Sequence, residues 1–410
     1  MTNERKYFEN LDGLRFLCFL SVFFYHSFDT QFAAIRNSSI HKFVREDLFE
    51  NGNLGVNFFF VLSGFLITHQ LIQEKKNNGQ IDLANFWVRR ILRIWPLYYL
   101  SVFFGFIIFP ALKVLFGQVP QENASLSSYL LFINNFDVLE KGTPDAAILG
   151  SLWSIAVEEQ FYLIWPILLF LMPARLYWFT FAAVLFTTWV FRADTDDPTI
   201  FHFHTLSCMG DMAVGATGAW LMAYSSGFRD RIINIDRFQV ILLYLVLAIV
   251  FLFRKELLFQ YYWTRIFERS FIAAIMLLVV LEQCYASRPL VRMGRFKILS
   301  GLGVISYGLY SFHFIGILIA KTLTDTVGFN QSVWQVIFLE TSLALLFTIV
   351  LAEVSFVFFE QPILSLKQRI SPSQGASQNV AAKTVNTSEF FVFNLIILLR
   401  RAAGKERIRS

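Results

Sequence analysis

The chain has 410 residues, 56% of them hydrophobic and only 16% charged, with a formal net charge of +5. Soluble domains carry about 25% charged residues, so this composition excludes an ordinary soluble enzyme. The small positive excess does not point to nucleic acid, because the cations alternate between loops in the way membrane topology explains.

In chain order, the charged stretch 1–10 lacks the apolar core and small-residue cleavage site of a signal peptide. The first helix is therefore expected to remain as a span. Crossing the hydrocarbon layer takes about 20 apolar residues, and such segments recur at 11–31, 54–72, 91–116, 150–172, 175–192, 204–224, 237–253, 266–284, 298–320 and 333–359. The expected fold is an all-α, polytopic integral membrane protein, a bundle of about ten transmembrane helices. The stretch 126–136 is too short to cross and reads as a re-entrant or interfacial piece. Cys18, Cys208 and Cys284 lie in or beside apolar segments without CxxC spacing, as small core residues do.

Residues 1–368 read as one transmembrane domain, and 369–410 as a cytoplasmic linker with a short hydrophobic and basic tail. The ten apolar residues 390–399, followed by Arg400 and Arg401, suit an interfacial helix beside anionic lipid; a disordered tail is the other reading. Lys and Arg decide orientation. With the N-terminus inside, the inner loops hold Lys75, Lys76, Arg89 and Arg90, then Arg175, Arg229, Arg231, Arg237, Arg288, Arg292, Arg295 and Lys297. The outer loops hold Arg36, Lys42, Arg45, Lys141, Arg254, Lys255, Arg265 and Lys321, with Arg192 at a border, but also most of the acids, including Asp194, Asp196 and Asp197. Both termini are thus expected in the cytoplasm, with the chain in the inner or plasma membrane.

An ionisable side chain within a span marks a function by default. Arg15 and His26 stand eleven residues apart, almost three whole turns, so they share a face about 16 Å apart along the axis. A cation near one end and a titratable base deeper in suit a long anionic substrate with a reactive far end. A snorkelling arginine and a packing histidine fit the spacing equally. Ser63 and Gly64 sit inside an apolar helix, where small residues let backbones approach; a Ser63 hydroxyl lining a site is the other reading. Arg90 and Arg93, at i and i+3, share a face while Arg89 turns away. A planar guanidinium fork suits phosphate, and topological anchoring competes with that role. Glu158 and Glu159 point about 100° apart, so one faces a site and the other pairs elsewhere. A carboxylate that orients an imidazole is what a His26 base needs. Asp211, Glu268, Arg269, Glu340 and Glu353 read as internally paired. His202 and His204 form a weak HxH metal signal without a further ligand nearby, and His313 lies mid-helix one turn after Tyr310.

Leu11-Asp-Gly-Leu-Arg15 through His26, then Phe59-Phe-Val-Leu-Ser-Gly-Phe65, Arg89-Arg-x-x-Arg93-Ile-x-Pro-x-Tyr and Leu152-Trp-Ser-Ile-Ala-Val-Glu-Glu-Gln-Phe-Tyr162 follow one another. With Ile305-Ser-Tyr-Gly-Leu-Tyr310, His313 and Phe359-Glu-Gln-Pro362, this series resembles the membrane-bound acyltransferase-3 family of O-antigen, peptidoglycan and other glycan O-acyltransferases. The resemblance runs from about residue 8 to 366. It implies a ten-helix bundle, cytosolic acyl-CoA as donor and a carbohydrate acceptor. The SGNH-type domain fused to some members has no counterpart in these 410 residues, and the tail is not part of the family pattern.

The function expected is transfer of an acyl group, acetyl foremost, from acyl-CoA to a hydroxyl of a cell-surface polysaccharide, lipid-linked glycan or glycolipid. His26 is assigned as general base with Glu158 supporting it, and Arg15, Arg90 and Arg93 as the CoA phosphate site. Ser63, Glu159, Tyr310 and His313 are assigned to the substrate pocket. No metal or bound cofactor is expected, acyl-CoA being a co-substrate; the other partners are the glycan and membrane lipid, not nucleic acid. The sugar attacks directly or through an acyl group held on His26. A transporter or flippase using the same buried charges is the alternative, and a scaffold with a degenerate site a third.

Overall fold

The structure is a computed structural model that describes residues 7–258 and 261–370, with side chains to residue 365. The expected linker and tail, 371–410, lie outside the described residues. Among the described residues there are helices and no strand.

The main helices are α1 (Asn10–Ser27), α2 (Leu54–Asn78), α3 (Leu83–Phe103), α4 (Trp153–Leu171), α5 (Tyr177–Ala193), α6 (Thr205–Tyr224), α7 (Arg237–Leu258), α8 (Tyr262–Tyr285), α9 (Lys297–Val304), α10 (Ser306–Val327) and α11 (Thr341–Ser355). Each predicted segment falls on one of these or on a run of helical pieces. The stretch 126–136 gives short helices, Leu126–Leu130 and the start of Asn134–Lys141. Among the described residues five helical stretches are long and apolar enough to cross a membrane, and up to seven if each bent pair counts as one span. Polar or small residues interrupt the apolar runs of α1, α6 and α8, and Asp12, Asp211, Glu268 and Arg269 among them are buried. These helices form the interior of a multi-pass membrane protein.

One expected span needs correction. Residues 298–320 are not a straight helix, because the chain turns by 82° between α9 and α10. A close backbone contact stands beside the turn. At Gly303 a Cβ would stand only 1.8 Å from the backbone oxygen of Asp12, so α9 lies directly on the start of α1.

Glycines set a second close crossing. A Cβ at Gly64 would come within 2.0 Å of the Met212 carbonyl oxygen, and one at Gly215 within 2.0 Å of the Val61 oxygen. Thus α2 and α6 touch backbone to backbone, as small residues permit in membrane helices, and Gly64 has the packing role. Its neighbour Ser63 lies about 100° round the helix and points to a different face.

The buried charges pair internally, as the sequence suggests for Asp211, Glu268 and Arg269. Arg269 holds Asp211 at 2.8 Å, and Asn57 donates to the same carboxylate oxygen at 3.1 Å. Glu268 is shared by Arg192, at 3.4 Å, and Arg254. Glu340 accepts the Thr324 hydroxyl at 2.8 Å. Lys75 does more than add loop charge: its ammonium group donates to the carbonyls of Leu169, Phe170 and Met172 at 2.7–3.3 Å. These are carbonyls that the end of α4 leaves unpaired.

Candidate active site

A cavity of about 290 Å³ opens among α1, α2, α3, α4 and α10. The first helix contributes Arg15, α2 Ser63 and Gln70, α3 Arg90 and Arg93, α4 Glu158 and Tyr162, and α10 Tyr307 and Tyr310. Among the described residues three guanidinium groups and one carboxylate line it, so the excess charge suits an anion. The fork of Arg90 donates to Gln70 Oε1 at 3.1 Å and lies 5.5 Å from the centre of the Tyr162 ring. Arg15 is held by Asp12, which also accepts the Tyr7 hydroxyl. Arg93 is exposed in the cavity and has no hydrogen-bond or ion-pair partner among the described residues. Arg89 turns away, as expected, into a buried pair with Glu74 at 3.5 Å.

Glu158 is tied on both oxygens. Ser63 donates to Oε1 and Tyr162 to Oε2, each at 2.8 Å, and the Ser63 and Tyr162 hydroxyl oxygens are 2.9 Å apart. Glu159 accepts the Trp95 indole N–H at 2.9 Å and does not line the cavity. The two adjacent carboxylates are thus divided, one in the site and one paired elsewhere, and the assignment of Glu159 to the pocket is corrected.

His26 lies elsewhere. It lines a second cavity, of about 650 Å³, with Asp29, Arg45, Asp145, Phe314 and Lys321 around it. Its ring packs against Tyr25, Phe314 and His313 at centroid distances of 4.8, 4.7 and 5.4 Å. The expected support of His26 by Glu158 is therefore not what the structure contains, since both oxygens of Glu158 serve Ser63 and Tyr162 in the other cavity. His313 is 0% exposed and lines neither cavity, which corrects its assignment to the pocket surface. It occupies the wall between them. Its Nδ1 is 2.6 Å from the Tyr310 carbonyl oxygen, while the Tyr310 hydroxyl lies 2.8 Å from Ser154 Oγ at the first cavity. The HxH pair is structural: His204 Nδ1 accepts the Leu206 N–H at 3.2 Å at the start of α6, and His202 packs on Trp153 at 4.7 Å.

A family model described as an acyltransferase domain matches residues 8–353. The chain belongs to the acyltransferase-3 family. The matched range contains both cavities apart from Tyr7. Among relatives, the peptidoglycan O-acetyltransferase OatA of Listeria monocytogenes is 29% identical over 390 residues, covering 88% of this chain and 56% of its own length. A Bacillus subtilis protein, YrhL, whose name assigns it provisionally to peptidoglycan O-acetylation, is 28% identical over 384 residues with the same coverage. Staphylococcus aureus proteins provisionally named O-acetyltransferases are 28% identical over 171 residues, 40% of this chain and 25% of theirs. The chain spans a little over half the length of the Listeria and Bacillus relatives. No solved structure matches it.

As an acyltransferase-3 member, the chain also shows what its motifs alone hide. Tyr162 lies four residues after Glu158, and Gln70 seven after Ser63, so each shares a helix face with the residue it follows. That spacing was the signal by which both site residues could have been found.

Proposed function

We propose that this chain transfers an acetyl group from acetyl-CoA to a hydroxyl of a cell-wall or other surface polysaccharide. Family membership supports acyl transfer, and the peptidoglycan O-acetyltransferase names of two relatives supply the acetyl group and the polysaccharide. The observation that carries the reading is a pair of cavities of different chemistry, one lined by Arg15, Arg90 and Arg93 and the other by His26, parted by Tyr310 and His313. A charged nucleotide carrier fits the first. Its phosphates meet the guanidinium forks while the pantetheine arm carries the thioester inward past Tyr310. The polysaccharide enters the second.

The acceptor oxygen attacks the thioester carbonyl as His26 takes its proton; the carbon–sulfur bond then breaks and the thiolate leaves as CoA thiol with that proton. General-base assistance of this kind contributes about 10²–10⁴ in rate. Ser63, Glu158 and Tyr162 fix the shape and charge of the donor cavity rather than the base.

The test uses purified full-length protein in lipid nanodiscs with acetyl-CoA and chitotriose as acceptor, without any gradient. Acetyl transfer that disappears in His26→Ala, at unchanged membrane abundance, is the expected result. No acetyl transfer in the wild type would overturn the reading in favour of a transport role for the same buried charges. Activity of His26→Ala within about threefold of wild type, against the decades a base supplies, would remove His26 from the chemistry.

A further inference from the structure

We propose that His313 is the positioning residue for His26, holding its ring in the tautomer that acts as a base; this rests on the reading of His26 given above. A ring as deeply enclosed as His313 needs partners for its polar atoms, because an unpaired buried group carries its full desolvation penalty. One atom is satisfied. The Tyr310 carbonyl can only accept, so His313 Nδ1 bears the hydrogen of that 2.6 Å contact. In the neutral ring Nε2 is then left with a lone pair and no hydrogen. That Nε2 is buried and has no hydrogen-bond partner among the described residues.

Among the aromatic rings that pack on it, one has an unengaged donor. Among the described residues four rings pack on His313, those of Phe19, Tyr310, Phe314 and His26. Two are phenylalanines, and the Tyr310 hydroxyl is engaged with Ser154 and the Ser151 carbonyl. His26, its ring 5.4 Å away and tilted by 37°, has ring nitrogens with no hydrogen-bond partner among the described residues. A small rotation of the His26 ring lets one nitrogen give its hydrogen to His313 Nε2. The other nitrogen of His26 then carries the lone pair, free for the second cavity. When His26 takes the acceptor's proton, both its nitrogens are donors, and the bond to His313 stabilises the cation. A neutral imidazole, pinned by the Tyr310 carbonyl, does for His26 what a carboxylate does in a serine-hydrolase triad. The bland role, a histidine filling space between helices, leaves the orphaned Nε2 without a reason.

The experiment compares His313→Gln, His313→Asn and His313→Leu in the full-length protein. Gln carries a polar acceptor out to the Nε2 position, Asn reaches only the Nδ1 position, and Leu offers neither. Orienting groups of this kind are worth several decades in kcat, so Leu and Asn should lose about 100-fold with the acetyl-CoA KM within about twofold. Gln should recover to within about tenfold of wild type on the same scale. A packing role predicts instead that Asn and Gln fail alike, or that Leu is tolerated, and either result overturns the proposal. If His313→Leu is active while His26→Ala is dead, positioning fails and the base stands; if both are active, the base reading itself fails. A second measurement needs neither turnover nor an acceptor. Solid-state ¹⁵N spectra of histidine-labelled protein should show the His26 ring nitrogens shifting in His313→Leu and returning in His313→Gln. Unmoved His26 signals overturn the proposal even if the variants lose activity.

Discussion

Ser63 gives its hydroxyl hydrogen to Glu158 at 2.8 Å, joining α2 to α4 across the floor of the cationic cavity. The bond makes a testable distinction between the two adjacent acids. Glu158→Gln removes the charge that faces the arginines and forces one of the two hydroxyls to accept where it now donates, so acetyl transfer should fall steeply. Ser63→Ala leaves the Tyr162 contact in place and removes a bond to a charged group, worth about 1.5–3 kcal/mol; its loss should be smaller than that of Glu158→Gln. Glu159→Gln keeps an oxygen for Trp95 and should be mildest. Specific activity normalised to membrane abundance ranks the three, and equal losses for Glu158→Gln and Glu159→Gln would contradict this geometry.

Arg93 and Arg90 should separate by what else they hold. Arg93 has no protein partner among the described residues, so Arg93→Ala should raise the acetyl-CoA KM with little change in thermal stability. Arg90→Ala also removes the bond to Gln70 and the contact with Tyr162, and should lower stability as well as donor affinity. Lysine should restore each only in part, since a point charge lacks the bidentate fork. Initial-rate kinetics over a range of acetyl-CoA, with melting curves in detergent, check both statements. Unchanged donor KM in both alanine variants would return these residues to the role of anchors.

The glycine crossing predicts a purely structural loss. Gly64→Ala and Gly215→Ala each place a methyl group 2.0 Å from a carbonyl oxygen of the facing helix, so α2 and α6 must part. Overpacking of this kind costs about 1–3 kcal/mol. Both variants should melt at lower temperature. At Gly79, where nothing stands within 4 Å of an added Cβ but φ is +77°, alanine should cost through backbone strain alone.

Orientation is open to labelling. CoA phosphates belong to the cytosol, so the cationic cavity and the 73–90 loop should face it. With the native cysteines replaced, a cysteine at Asn78 should react with an impermeant maleimide only from the cytoplasmic side, and one at Asp194 only from outside. Labelling of Asn78 from outside would invert the arrangement and leave the arginines facing a compartment without donor.

The helical segments and the polar residues of the motifs were legible in the sequence because apolar length and motif order are local properties. Partners were not. Arg15 and His26 share a face by spacing, yet the fold gives them to different cavities, because α10 packs His313 between His26 and Tyr310. Glu158 looked like the carboxylate for His26, but α2 brings Ser63 to it instead, and only the α2–α6 glycine contact fixes which way Ser63 turns. The bend between α9 and α10 carries no proline and no charge at its corner; beside it Gly303 touches the backbone of Asp12, almost three hundred residues earlier, a contact that no local pattern shows.

The shared carboxylate of Glu268 has a consequence for how the chain is made. Arg192, 2% exposed at the end of α5, is paired with an acid 76 residues further along. Ribosomes add about 5–20 residues per second, so several seconds pass between synthesis of the cation and synthesis of its counter-ion. Taking an arginine out of water without a counter-ion is costly. Until α8 emerges, α5 has no low-energy resting place with that side chain buried, and it must wait at the headgroup level or in the care of the insertion machinery. Burial of Arg192 between α5 and α8 is then a late step of assembly, because Glu268 and the Arg265 and Ile266 carbonyls that receive it are all made with α8.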